Sequence, residues 1–171
     1  MKSTNTAEYR DRLVRESGVW WKQLLDVQRP YRWNLQRLRP GKTLDVGCGI
    51  GRHLHALPTG SLGVDHNQDS IAEARARGLN AVTSAELEER RADLLGTFDS
   101  LLFSHILEHM RREEAIAMVR SYLPFLRAQG DRKLVLITPQ EAGYRSDATH
   151  VEFTDFRALT SITSELGLEV S

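Results

Sequence analysis

Thr43-Leu-Asp-Val-Gly-Cys-Gly-Ile-Gly-Arg-His-Leu54 decides the fold. Leu44 and Val46 flank Asp45 in an apolar, extended run. Gly47, Gly49 and Gly51 then recur at every second position, and Arg52 to Leu57 opens a helical pattern. The reading is a strand, a tight turn and a helix start. Glycine admits positive φ and lets a ligand approach bare backbone. Amides at a helix N-terminus favour negative charge. A strand, a Gly-rich turn and a helix in that order predict a site for a nucleotide-type cofactor.

The spacing discriminates between cofactors. A dinucleotide fingerprint runs G-x-G-x-x-G and would require Gly at 52, where this chain has Arg52. Asp45 stands two residues before the first glycine. A carboxylate there repels a pyrophosphate and suits the ammonium of an amino-acid moiety. The string L-D-V-G-C-G-I-G resembles motif I of the class I S-adenosylmethionine-dependent methyltransferases of the small-molecule type. That resemblance implies S-adenosylmethionine as cofactor, held around Asp45, Gly47, Cys48, Gly49 and Gly51. Two other classes compete: a dinucleotide-dependent oxidoreductase, disfavoured by Asp45 and Arg52, and a cofactor-binding protein without catalysis, since fold alone does not settle function.

The totals constrain the partners. The chain has 171 residues, enough for one domain with a core, and its 23 Lys+Arg balance its 23 Asp+Glu. Overall charge therefore makes no case for nucleic acid or a membrane surface. The distribution is uneven. Lys2, Arg10, Arg12, Arg15, Lys22, Arg29, Arg32, Arg37, Arg39 and Lys42 face only Glu8, Asp11, Glu16 and Asp26 within residues 1–42. A solvated basic helix face explains this, and an anionic acceptor is the sharper reading. The single cysteine, Cys48, excludes an intrachain disulfide and reads as a small turn residue, because no base is paired with it. No apolar run approaches the ~20 residues of a membrane span, and no signal-peptide pattern opens the chain. The expectation is a cytoplasmic protein with a small-molecule acceptor; oligomeric state is not legible.

Hydrophobic periodicity divides the chain into residues 1–42, a helical cap or lid broken at Pro30 and Pro40, and residues 43–171, the cofactor-binding domain. Within the cap, Trp20, Trp21, Leu24, Leu25 and Val27 supply one apolar face and Tyr31, Trp33, Leu35 and Leu38 a second. These faces serve either packing or a lid with Tyr31 or Trp33 near the cofactor. Strands are expected at about 43–47, 61–65, 79–83, 98–103 and 133–138, with a sixth starting at 168–170. Helices are expected at about 51–57, 70–77 with a Ser70–Glu73 capping box, 84–91, 112–127 ended or kinked by Pro124, and 154–166. Strands alternating with helices predict an α/β fold: a Rossmann-like three-layer α/β/α sandwich with a mostly parallel sheet. The family fold ordinarily adds a last antiparallel strand, which the reading finds missing from this chain.

In such a sheet the ligand lies beyond the carboxyl ends of the strands. Asp65 ends the second strand, and a carboxylate there can accept both ribose hydroxyls. His66 and Asn67 then fall beside the adenine. Ser84 and Ala85 follow the third strand, where the family reads the adenine amino group, although no Asp opens that loop here. Ser104 follows the fourth strand and leads into His105-Ile-Leu-Glu108-His109. Alone, H-x-x-E-H is the pattern of inverted zinc proteases, but those sites lie within a long helix. Here the string is similar to the H-x-L-E-H segment of small-molecule methyltransferases, whose first His borders the methyl-transfer centre. Some ubiquinone-biosynthesis O-methyltransferases carry E-x-x-E-H and bind a divalent metal. His105 replaces that first Glu, so the resemblance implies no metal and turnover without added magnesium, with Glu108 and His109 holding the start of the next helix. The polar loop after Pro139 carries Tyr144, Arg145, Asp147 and His150 toward the same edge, and His150 with Phe153-Thr154 resembles the family's H-x-x-F-T lead-in to a helix. His105 and His150 are the two candidate bases for an O-acceptor.

Overall fold

A computed structural model describes residues 29–139, 150–152 and 154–169. Five strands form one sheet: β1 (Thr43–Val46), β2 (Leu62–Asp65), β3 (Ala81–Thr83), β4 (Ser100–Ser104) and β5 (Lys133–Ile137). Their order is β3-β2-β1-β4-β5, and every pairing is parallel. The helices are α1 (Arg29–Arg37), α2 (Gln68–Ala76), α3 (Ser84–Glu89), α4 (Arg91–Leu94), α5 (Arg112–Tyr122) and α6 (Phe156–Glu165).

Strand side chains alternate between faces, and the two apolar clusters follow that alternation. One cluster takes Leu44, Val46, Leu101 and Phe103 from the strands, with Leu87 of α3, Ile116 and Val119 of α5 and Ile162 of α6. The other takes Leu102, with Leu35 of α1 and Ile71 and Ala74 of α2. Helices thus cover both faces, giving the three-layer sandwich expected from the strand–helix alternation. Fully burying a side chain such as Phe103 or Leu102 is worth about 1.5–3 kcal/mol, so β4, buried along its whole length, holds the two layers together.

Several local expectations are corrected. No α-helix follows the Gly-rich turn: the chain makes turns and one 3₁₀ turn, Leu54–Ala56, before Pro58. Gly51 at φ +80° breaks the backbone where that helix is expected to start, and Pro58 follows the turn. The helix after β2 is capped by Asn67, whose side chain accepts from the Ser70 amide, so Ser70 is the capped residue and not the cap. Position 90 divides the expected 84–91 helix into α3 and α4. Pro124 does end α5, inside the 3₁₀ turn Leu123–Phe125. Leu168 and Glu169 belong to no strand, and Val170 lies outside the described residues. Most of the basic cap segment also lies outside them, as do Tyr144, Arg145, Asp147 and Phe153. Within α1, Leu35 is buried whereas Trp33 is exposed, as is Leu38 just after the helix, and the Arg37 guanidinium stands 4.5 Å from the centre of the Trp33 ring. Among the described residues, no helix is long and apolar enough to cross a membrane.

Candidate functional site

The strand order reverses between β1 and β4, which opens a crevice at their carboxyl ends. The expected residues reach that edge from both sides: Asp45 and the glycine turn from β1, Asp65 from β2, and Ser104 and His105 from β4.

Asp45 lies inside β1, paired between Gly63 of β2 and Leu102 of β4, with 1 % of its surface exposed. Among the described residues, no donor reaches either carboxylate oxygen. Burial, and then the neighbouring Asp65, push its pKa up to about 8. A buried, unpaired carboxylate is costly, and a ligand group brought to the crevice would offset that cost. A cationic ammonium satisfies that demand; a pyrophosphate would add repulsion. This test favours an amino-acid-bearing cofactor on the chain's own geometry.

The glycine turn folds back onto β2. The amides of Gly47 and Cys48 both donate to the Val64 carbonyl, at 2.8 and 3.1 Å. Gly47 has φ +68°, and a Cβ there would lie 2.5 Å from Ile106 Cδ1. The position therefore demands glycine for both conformation and space. Cys48 is buried against Gly63, where an added Cβ would stand 2.6 Å from its Sγ. Burial and the two carboxylates of Asp45 and Asp65 raise its thiol far above the ordinary range, so it stays neutral and serves as a small packing residue.

Asp65 does more than the sequence reading assigned to it. Its Oδ2 accepts from the Gly49 amide and its Oδ1 from the Asn67 amide, both at 2.8 Å. His66, its side chain exposed, places Nδ1 3.3 Å from the same Oδ1. The carboxylate locks the glycine turn to the start of α2. Each oxygen still has a second lone pair for a ligand hydroxyl. Asp65→Ala is expected to weaken cofactor binding at least roughly tenfold, from charged hydrogen bonds of about 1.5–3 kcal/mol, and to lower the melting temperature by releasing the turn. Calorimetry and thermal unfolding together check this: unchanged affinity with a lower melting point would make Asp65 a turn clamp alone.

Ser84 and Ala85 are the first two residues of α3, whose cap is Thr83 in a reciprocal box with Glu86. They stand one strand beyond Asp65, because Asp65 pairs with Thr83 across β2 and β3. Ser104 is buried at the end of β4, and its Oγ has no hydrogen-bond partner among the described residues.

The exit from β4 is held in an unusual backbone. His105 has φ +57°, a left-handed conformation rare for residues with a Cβ. Its amide donates to the Ile137 carbonyl at 2.8 Å, and its half-exposed ring places Nδ1 3.3 Å from Glu108 Oε1. Glu108 is completely buried, and neither carboxylate oxygen accepts a hydrogen bond from a described residue. Its carbonyl accepts from the Val151 amide at 2.8 Å, tying this turn to the segment before α6. The start of α5 is held by Glu114, whose carboxylate accepts from the Arg111 amide, and by Glu152, which takes the Arg112 amide.

Two groupings escaped the sequence reading. His53, just past the glycine turn, has its pKa held down to about 4 by burial first and then by His105 and Arg52, so its ring is neutral. Its place directly after the G-x-G-x-G-R string was the available signal. His150 lies beside His109, ring centres 4.9 Å apart, and one ligand atom from each of Glu108, His109 and His150 lies within 4.8 Å of the others.

A parallel sheet with an acid and a glycine turn at its switch point is the arrangement expected of a nucleotide-cofactor site in the α/β class. Residues 44–127 match the family model described as a methyltransferase domain. A SAM-dependent methyltransferase from Archaeoglobus fulgidus is similar in structure, with 21 % identity, 87 % of this chain and 72 % of that chain covered, and a TM-score of 0.65. The magnesium protoporphyrin IX methyltransferase of Synechocystis PCC 6803 with bound SAH is 19 % identical, with 98 % and 87 % covered and a TM-score of 0.67. No curated protein matches the chain. Residues 44–127 thus resemble a methyltransferase domain, and the chain shares the fold of these S-adenosylmethionine-dependent methyltransferases.

Proposed function

We propose that the chain transfers the methyl group of S-adenosylmethionine to an oxygen of a small-molecule acceptor. The observation that supports this most is the unpaired, buried Asp45 beside the glycine turn, with His105 on the facing lip of the same crevice. The cofactor supplies a methyl already activated on a sulfonium. The residues therefore need mainly to hold the donor and align the acceptor.

In this reading Asp45 takes the cofactor's ammonium and Asp65 its ribose hydroxyls. The turn of Gly47, Cys48, Gly49 and Gly51 lies along the cofactor. His66, Ser84 and Ala85 border the adenine, and Ser104 lies near the amino-acid end. His105 removes the proton from the acceptor hydroxyl. Of the two candidate bases His105 is favoured: it stands at the exit of β4 with its ring half-exposed at the carboxyl edge of the sheet. His150 is drawn to His109 instead.

Residues 43–171 are assigned to the methyltransferase domain and 1–42 to a helical cap. Leu35 of α1, buried in one cluster with Cys48 of the glycine turn, supports that assignment. The basic residues of the cap favour an anionic acceptor. The test is transfer of an isotope-labelled methyl from S-adenosylmethionine into the small-molecule fraction of a cell extract. Label in an O-methyl ether or ester is expected. Label confined to N- or C-methyl products, or to protein, would contradict the acceptor class. No label in any product would favour a cofactor-binding protein without catalysis.

A further inference from the structure

We propose that Glu108, His109 and His150 form a binding site for one divalent transition-metal ion of the zinc class. Two segments far apart in sequence contribute: Glu108 and His109 from the turn after β4, and His150 from just before α6. One ligand atom from each lies within 4.8 Å of the other two. A metal with ligand bonds of about 2.0–2.2 Å sits within such a triangle after small side-chain rotations. Two imidazoles and one carboxylate match zinc and its neighbours rather than magnesium or calcium, which prefer all-oxygen shells.

The independent observation is Glu108 itself. It is completely buried, and among the described residues nothing hydrogen-bonds to either oxygen. His105 approaches Oε1 to 3.3 Å but not in hydrogen-bond geometry. A buried carboxylate left in this way is expensive, and buried charges are normally paired or bound to metal. The backbone is already set for the clip, because the Glu108 carbonyl takes the amides of Val151 at 2.8 Å and Glu152 at 3.4 Å. The metal would pin the His105 turn to the lead-in of α6. Three protein ligands leave a fourth tetrahedral position for water or an oxygen of a bound molecule.

The sequence reading set a metal aside because His105 stands where metal-dependent relatives carry Glu. This site does not use position 105; His150 supplies the third ligand from across the fold. It stands or falls independently of methyl transfer.

The test is calorimetric titration of metal-stripped protein with zinc alone, repeated with cobalt for its absorption spectrum. One zinc per chain is expected, with the strong visible bands of four-coordinate cobalt, and zinc should raise the melting temperature of the wild type. His150→Ala should weaken zinc binding by at least about tenfold, since even residues behind the ligands cost 10–100-fold, and should abolish the melting shift. His109→Ala and His150→Gln carry the same expectation should one variant fail to fold. Equal zinc affinity in wild type and His150→Ala would place the ion on other histidines and overturn the site. Absence of stoichiometric zinc binding by the wild type would also overturn it.

Discussion

Asp45→Asn is expected to lose S-adenosylmethionine binding by roughly a hundredfold, yet to melt higher than the wild type at pH 8. Both effects follow from one buried carboxylate. Its oxygens have no partner among the described residues, which supports the proposed contact with the cofactor's ammonium. Removing one member of a buried charge pair costs about 2–5 kcal/mol, and 2.7 kcal/mol is about a hundredfold. The stability change has the opposite sign. Burial raises the folded-state pKa of Asp45 to about 8, whereas the unfolded chain ionises near the ordinary value of 3.8. Between those values the folded state holds one more proton than the unfolded state. The wild type therefore loses up to ~1.4 kcal/mol of stability per pH unit as pH rises through this window. Asn carries no such slope. Thermal unfolding of both proteins from pH 5 to 8.5, without cofactor, checks this: the wild type should fall away from the variant as pH rises. Parallel profiles would mean that Asp45 ionises normally.

The second large effect concerns the base. His105→Asn should lower turnover by about 10²–10⁴-fold, the range for removing a group that takes part in proton transfer, while cofactor affinity stays near normal. Asn is the suitable replacement because position 105 has φ +57°, where Asn is tolerated and Ala is strained. Asn preserves a polar contact toward Glu108 but cannot accept the proton. Steady-state kinetics over a range of acceptor concentrations separate the possibilities. A fall in turnover supports proton transfer by His105. A raised Michaelis constant with unchanged turnover would make it a positioning residue.

The sheet was legible because each strand is a short apolar run bounded by turn residues, as in Leu44-Asp-Val46 before Gly47. The glycine string and Asp65 fell where the topology brings them together. The helix after the turn was misread because apolar spacing at Leu54 and Leu57 looks helical over any short window, whereas the chain makes one 3₁₀ turn there, between the positive-φ Gly51 and Pro58. The Ser70 box failed for a related reason. Asn67 lies three residues earlier and offers the better acceptor, which makes Ser70 the recipient. The backbone role of Asp65 was hidden because amide partners leave no trace in residue identity. The grouping of His109 with His150 depends on how α6 packs back against α5, through contacts such as Arg112 with Glu165 at 2.8 Å. No local pattern carries that information.

The central claim is that the crevice at the β1–β4 switch point is built for a cofactor bearing an ammonium. Calorimetric titration of the wild-type protein with S-adenosylmethionine and, separately, with NAD tests it most directly. The account predicts binding of S-adenosylmethionine with one site per chain and no binding of NAD. Micromolar affinity for NAD, with none for S-adenosylmethionine, would contradict it.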